Sequence, residues 1–204
     1  MLLFLDTETT GLPKKRQSAE IQPGIWPDIV SIAWIVTSDD GRILHTMYTL
    51  VRPCGWTIPE DSTRIHGITH AQAEEFGMDL QTVMERFCEQ AKRVKCIVAH
   101  NMHFDKNVII HALKWRLHMD VSSIFVNTFC TMQGRYIKLV ELYTQLFGSP
   151  PSVELHNALH DATICMQIYF KRKNLLATHD IPTTDKNVPS KVSTQTLSLR
   201  LADA

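Results

Sequence analysis

The chain has 204 residues, of which 44% are hydrophobic, 21% charged and 8% aromatic, the make-up of one ordinary globular domain with a short appendage. That composition excludes a chain disordered throughout, a collagen and a small disulfide scaffold. Lys plus Arg equals Asp plus Glu at 21 each, so no whole-protein field steers a polyanion and any nucleic-acid contact has to be local. No apolar run approaches the roughly 18 residues of a membrane span. The opening Met1 to Leu5 is too short for a signal-peptide core, so an intracellular protein with no membrane partner is expected. Five dispersed cysteines without a Cys-x-x-Cys pair (Cys54, Cys88, Cys96, Cys130, Cys165) predict reduced, buried thiols.

Met1 to Leu5 is an apolar run ending at Asp6, which predicts a buried strand. Gly11-Leu12-Pro13 breaks it, and Lys14 to Pro27 is polar with a turn signal at Pro23-Gly24. Ile29 to Thr37 and Ile43 to Val51 are β-rich runs about Asp39-Asp40-Gly41, a predicted hairpin. Pro59 to Phe76 holds short helical pieces, the second capped by Thr69. Leu80, Val83, Met84, Phe87, Cys88 and Ala91 recur at helical spacing and predict an amphipathic helix from about Asp79 to Arg93. A buried strand follows at Cys96 to Ala99, then a helix through Phe104 to Leu117 and a last strand at Ile124 to Phe129. Leu139, Leu142, Tyr143 and Leu146 mark a helix stopping at Gly148, and Ala158 to Phe170 another. Three strands in meander followed by alternating helices and strands predict an α/β fold with a mixed sheet covered by helices. From about Ala177 aromatic residues are lacking and Thr, Ser, Pro, Asp and Lys prevail. The expected organisation is a domain over 1–176 and a flexible tail over 177–204.

Asp6 and Glu8 sit two apart at the end of the first strand, so both side chains share one face. Alone that is a common pattern, but carboxylates at the C-terminal end of a buried strand stand where open α/β sheets hold ligands. Asp105 opens a helix four residues after Asn101, on the same side of the turn, where it also complements the helix dipole. Asp161 interrupts an apolar stripe of Ala158, Ala162, Cys165 and Ile168. A lone buried carboxylate costs several kcal/mol or protonates. A cluster of Asp6, Glu8, Asp105 and Asp161 therefore needs cations, and all-oxygen ligands select Mg²⁺ or Mn²⁺. His156 precedes Asp161 by five residues, beyond the Gly148-Ser149-Pro150-Pro151 loop. It is placed to swing over such a site as general base. His160, adjacent to Asp161, points elsewhere and is the rival base.

Three segments together resemble the motifs of the DnaQ-like, DEDDh 3′-to-5′ exonucleases: Asp6-Thr7-Glu8-Thr9-Thr10-Gly11-Leu12, Asn101-Met102-His103-Phe104-Asp105 and His156-Asn157-Ala158-Leu159-His160-Asp161. Ile65-His66-Gly67-Ile68-Thr69 resembles the family's His-Gly-Ile segment, and Asn157 stands where the sister subclass has its tyrosine. The resemblance implies an RNase H-like α/β fold with a five-stranded mixed β-sheet flanked by α-helices. It also implies two Mg²⁺ (or Mn²⁺) ions held by Asp6, Glu8, Asp105 and Asp161, about 3.5–4 Å apart, with His156 as base. Leu12 and Phe104 would meet terminal bases, and His66 and Ile68 would line the 3′-nucleotide pocket, unless these residues are core. Thr7, Thr9 and Thr10 would offer donors near the 3′ end, and Asn101 would position the Asp105 turn.

The implied activity is release of nucleoside 5′-monophosphates from single-stranded or frayed DNA ends, of proofreading or repair type. RNA trimming by an oligoribonuclease is the alternative, and a catalytically inactive nucleic-acid-binding module the reading from another class. Lys14-Lys15-Arg16 suits either a phosphate contact or a solvated loop. Cys96, His100 and His103 have a spacing that zinc could use. Gln195 to Leu201 weakly resembles peptides that dock on sliding clamps, which makes a clamp or polymerase a candidate partner of the tail.

Overall fold

In the computed structural model, which describes residues 1–15 and 17–173, the first strand becomes the centre of the sheet. Strands β1 (Leu2–Thr9), β2 (Ile29–Thr37), β3 (Ile43–Leu50), β4 (Cys96–Ala99) and β5 (Thr128–Cys130) lie in the order β3-β2-β1-β4-β5. β1 and β2 pair antiparallel, as do β2 and β3, whereas β4 and β5 run parallel to β1. Six α-helices flank this sheet: α1 (Glu60–His66), α2 (His70–Phe76), α3 (Leu80–Arg93), α4 (Met102–Ile110), α5 (Leu139–Phe147) and α6 (Ala158–Arg172). The predicted mixed five-stranded sheet covered by helices is the architecture observed.

Alternation along β1 divides the core in two. Leu3 and Leu5 pack with Trp34, Phe87 of α3 and Val108 and Ile109 of α4, while Leu2 and Phe4 pack on the other face with Ala158, Ala162 and Cys165 of α6. Truncating a side chain as enclosed as Phe4 costs about 3–5 kcal/mol. Local signals act as expected: Thr69 forms a capping box with Gln72 at the start of α2, and Asp79 caps α3 by accepting the Thr82 N–H at 3.1 Å.

The register creates an opening. Pairing of β1 with β4 ends at Leu5↔Ala99, whereas β1 continues beside β2 through Asp6↔Ala33 and Glu8↔Ser31. The last turn of β1 thus has an uncovered side, and the chain leaving β4 enters α4 there.

Two expectations are corrected. The last strand covers Thr128–Cys130; Ile124 is instead buried in a turn and Phe125 lies against Phe87, ring centres 6.1 Å apart, so their apolar character serves packing. Cys54 is exposed, while Cys88 and Cys165 are buried and Cys96 and Cys130 are half-buried. Among the described residues no helix is long and apolar enough to cross a membrane. The tail boundary at 176/177 and the 195–201 segment lie outside the described residues.

Candidate active site

The two sheet faces contribute separately to one edge. Asp6 and Glu8, even-numbered like Phe4, point to the α6 face, where Asp161 comes from the first turn of α6. Glu8, Asp161 and His156 each bring a ligand atom into a group within 4.8 Å of one another. Asp105 comes from α4 on the opposite face, and odd-numbered Thr7 reaches it: the Thr7 hydroxyl donates to Asp105 Oδ1 at 2.9 Å in a buried hydrogen bond.

Local backbone chemistry sets both helix starts. Asn101 adopts a left-handed conformation (φ 66°, ψ 51°), which asparagine tolerates better than most residues, and its carbonyl accepts the Phe104 N–H at 2.8 Å. The sharp turn swings α4 across the end of β1. Asn157 caps α6, its Oδ1 accepting the N–H groups of Leu159 and His160 at 3.0 and 3.3 Å. Just before it, His156 also has positive φ (60°); its backbone N–H donates to Asp161 Oδ2 at 3.2 Å while its side chain stays exposed. His160 is tied down, with Nδ1 2.9 Å from the Glu154 carbonyl.

The carboxylates strain against one another electrostatically. Burial first, then the charges of Asp105, Asp161 and Glu8, push the Asp6 carboxyl well above its usual range. Burial, with Asp161 and Asp105 nearby, pushes Glu8 up to about 8. Burial raises Asp105 to about 7 in spite of the Thr7 hydrogen bond. Asp161 is raised by burial against the opposing His156 backbone and His156 and His160 rings. One oxygen is also orphaned: Asp161 Oδ1 is buried without a hydrogen-bond partner. Four mutually repelling carboxyl groups and an unpartnered acceptor fit a site built for hard divalent cations.

The remaining predicted residues separate clearly. Leu12 is 83% exposed, so core packing is not its role. Phe104 is partly covered by Trp26, ring centres 5.8 Å apart. Ile68 is buried with Val30, Leu50, Ile58 and Ala73. His66 Nδ1 accepts the Ile68 N–H at 3.1 Å, leaving Nε2 buried and without a partner. Burial, helped by nearby His156 and opposed by the Thr9 backbone, holds this imidazole below its usual range. The hydroxyls of Thr9 and Thr10 are engaged internally, with the Gly11 carbonyl at 2.8 Å and the Asp28 N–H at 3.0 Å. With Thr7 donating to Asp105, the Thr7 and Thr9 hydroxyls donate within the protein itself, whereas the Thr10 hydroxyl accepts there. The zinc spacing dissolves, because the His100 ring nitrogens stand 2.7 Å from Thr131 Oγ1 and 2.8 Å from the Ile137 carbonyl. Lys14 and Lys15 are at or near the surface; Arg16 is outside the described residues. Sequence reasoning missed two functional features: the Thr7–Asp105 bond, for which no local signal exists, and the Asn157 cap, for which the asparagine before an apolar run was the signal.

A five-stranded mixed sheet with carboxylates from its central strand and from a helix on either face defines the RNase H-like class. The RNase T exonuclease family model matches residues 3–169, and the chain belongs to that family of exonucleases, whose DEDDh, DnaQ-like motifs its own resemble. Exonuclease X in complex with 5′ overhanging duplex DNA is 27% identical with a TM-score of 0.56, over 85% of this chain and 92% of that one. The zinc-bound E. coli exonuclease I–single-stranded DNA complex is 18% identical with a TM-score of 0.66, over 85% of this chain and 40% of that one. E. coli exonuclease I with a dA16 oligonucleotide gives 17% and 0.66, over the same shares. The chain therefore spans less than half the length of these exonuclease I chains. No curated protein matches it in sequence.

Proposed function

We infer that the chain is a 3′-to-5′ exonuclease that removes nucleoside 5′-monophosphates from single-stranded or frayed DNA ends. The observation that carries this reading is the convergence of Glu8, His156 and Asp161 within 4.8 Å beside the buried Thr7–Asp105 pair. DNA is favoured over RNA because similar folds, including one 27% identical over nearly its whole length, hold DNA.

Asp6, Glu8 and Asp161 would hold one Mg²⁺ or Mn²⁺, and Asp105 with Asp6 a second. Such ions, when bound, neutralise the charge that builds on the attacking and leaving oxygens of an in-line displacement. The residues divide the remaining work. His156, exposed on a loop whose backbone is fastened to Asp161, accepts a proton from the attacking water. The water oxygen bonds to phosphorus as the bond to the leaving 3′ oxygen breaks, so the nucleotide departs with its 5′ phosphate. Exposed Leu12 meets the terminal base, and stacking-type contacts of this kind tolerate any base. His66, beside the Thr9 backbone, would line the pocket for the terminal nucleotide.

The test is degradation of DNA and RNA oligonucleotides labelled at either end, in Mg²⁺, with products separated by chromatography. Shortening from the 3′ end to mononucleotides, stopped by a bulky 3′ block and unaffected by a 5′ block, is expected. Cleavage of closed circular single strands would overturn the reading.

A further inference from the structure

The segment that carries the chain from β1 to β2 is fastened repeatedly to one helix. Asn107 Oδ1 accepts the Ala19 N–H at 2.7 Å, Lys114 donates to the Glu20 carbonyl at 2.8 Å, and Trp115 Nε1 donates to the Ala19 carbonyl at 2.6 Å. Arg116 then donates from Nε and Nη2 to the two oxygens of Asp28, at 2.8 and 2.7 Å, the two-pronged geometry that carboxylates favour. His111, only 3% exposed, brings Nε2 within 3.6 Å of Asp28 Oδ1. Asp28 in turn holds the start of the segment. Its N–H donates to Thr10 Oγ1 and its carbonyl accepts the Thr10 N–H, both at 3.0 Å. Thr10 and Leu12 then border a cavity of about 220 Å³ that His111 and Arg116 also line.

This grip depends on a change of helical pitch. α4 ends at Ile110, and His111–Arg116 continues it as a π-helix, with the Leu117 N–H bonded to the carbonyl of Ala112, five residues back, at 3.1 Å. Residues five apart on an α-helix diverge by about 140°, whereas an i→i+5 helix stacks them. The wider turn therefore brings His111 and Arg116 to one face, and both meet Asp28.

We propose that Asp28, His111 and Arg116 are positioning residues, a clamp that sets the Thr10–Leu12 turn against the helix carrying Asp105 and so presents Leu12 to the terminal base. The proposal rests on the 3′-exonuclease reading and adds the device that places the base-contacting side chain. Hydrogen bonds link the clamp to Thr10 and leave the four carboxylates and His156 outside it. Its effect falls on engagement of the strand end and spares the chemical step.

The experiment compares wild type, Arg116→Lys, Asp28→Asn, Leu12→Ala and the double variant Leu12→Ala/Arg116→Lys. Each is measured by steady-state kinetics on DNA with a base-paired 3′ end in Mg²⁺. In Ca²⁺, each is titrated with an oligonucleotide carrying 2-aminopurine at its 3′ terminus. Lysine keeps the charge of Arg116 and loses the fork; asparagine keeps the shape of Asp28 and loses its charge. Both clamp variants are expected to raise KM roughly five- to tenfold with kcat within about twofold, and to blunt the 2-aminopurine signal as Leu12→Ala does. The double variant is expected to match Leu12→Ala within about twofold, because the clamp acts through that side chain. Additive losses, an unchanged KM in both clamp variants, or a fall in kcat equal to the fall in kcat/KM would each overturn the clamp while wild type still shortens DNA from its 3′ end. A wild type that does not do so overturns the exonuclease reading itself. Thermal melting of every variant identifies one that is merely unfolded, and Asp28→Asn, which leaves the Thr10 backbone bonds in place, then decides alone.

Discussion

The hydroxyl of Thr7 and the carboxylate of Asp105, 98 positions apart in the chain, meet in a buried hydrogen bond of 2.9 Å across the end of β1. This bond ties the helix on one face of the sheet to the strand whose other side carries Asp6 and Glu8. Thr7→Val removes the donor at nearly constant volume. A buried acceptor left unpaired costs about 1–3 kcal/mol, at roughly 2–4 °C of Tm per kcal/mol for a domain of this size. Metal affinity should weaken about 10- to 100-fold, as when an outer partner of a ligand is lost. Thr7→Ser, which keeps the hydroxyl, should retain both. Calorimetric melts and Mn²⁺ titrations check this, and a Thr7→Val variant with wild-type metal affinity would deny Asp105 its role.

His156 and His160 present a clean contrast. The exposed His156 ring has its backbone anchored on Asp161, whereas the His160 ring is held by the Glu154 carbonyl. His156→Ala should lower kcat by roughly 10²-fold or more with little change in Tm. The deficit should shrink in alkaline buffer, where hydroxide replaces the base. His160→Ala should do far less to kcat. Rate profiles across pH decide it: a dead His160→Ala beside an active His156→Ala would reverse the assignment.

The legible parts were those dictated by nearby residues. Apolar runs marked β1 to β4, Thr69 and Asp79 announced helix starts, and the spacing of Asp6 with Glu8 placed both on one face. Asp161 was conspicuous because a carboxylate broke an apolar stripe. What escaped was tertiary. Thr7 has no local mark of its partner, and Arg116 meets Asp28 across 88 positions through a helical pitch that no periodicity in the segment announces. The last strand was misplaced because Ile124 and Phe125 are apolar for a different reason: they fill the core from a turn.

Asp6, Glu8, Asp105, His156 and Asp161 all precede residue 174. Removing 178–204 should therefore leave Tm and turnover on short oligonucleotides nearly unchanged, an outcome that would support treating 1–176 as the exonuclease domain. A pull-down comparing full-length and shortened chains against a sliding clamp or polymerase tests the tail as a docking peptide. A large drop in Tm on shortening would instead make the tail part of the fold.

The carboxylate cluster predicts an unusual pH dependence for the metal-free protein. Glu8 rises from an ordinary 4.5 to about 8 and Asp105 from 3.8 to about 7. In the unfolded chain both ionise near their ordinary values, so between about pH 4 and 8 the native state retains protons that the unfolded state has released. By linkage, these groups make stability fall as pH rises through that window, and their contribution levels off beyond it. Asp28 is raised by burial but held below the usual carboxylate range by its contacts with His111 and Arg116. It has the opposite sign, and its contribution is lost only below about pH 4, outside the window. His66 and His100, held below the usual imidazole range by burial, also oppose the decline, but only up to about their ordinary 6.5, so the carboxylates stand alone above about pH 7. In excess chelator, Tm should therefore decline from pH 7 to pH 8.5. Added Mg²⁺ should raise Tm more at pH 8 than at pH 5, since binding requires ionised carboxylates and displaces their protons. Asp6→Asn should abolish turnover and remove most of the Mg²⁺-dependent gain, because the charges of Asp105, Asp161 and Glu8 all bear on Asp6. A chelated protein whose Tm rises from pH 7 to pH 8.5 would deny the raised carboxylates, and a gain from Mg²⁺ that ignores pH would show that the four carboxyl groups are not the cation site.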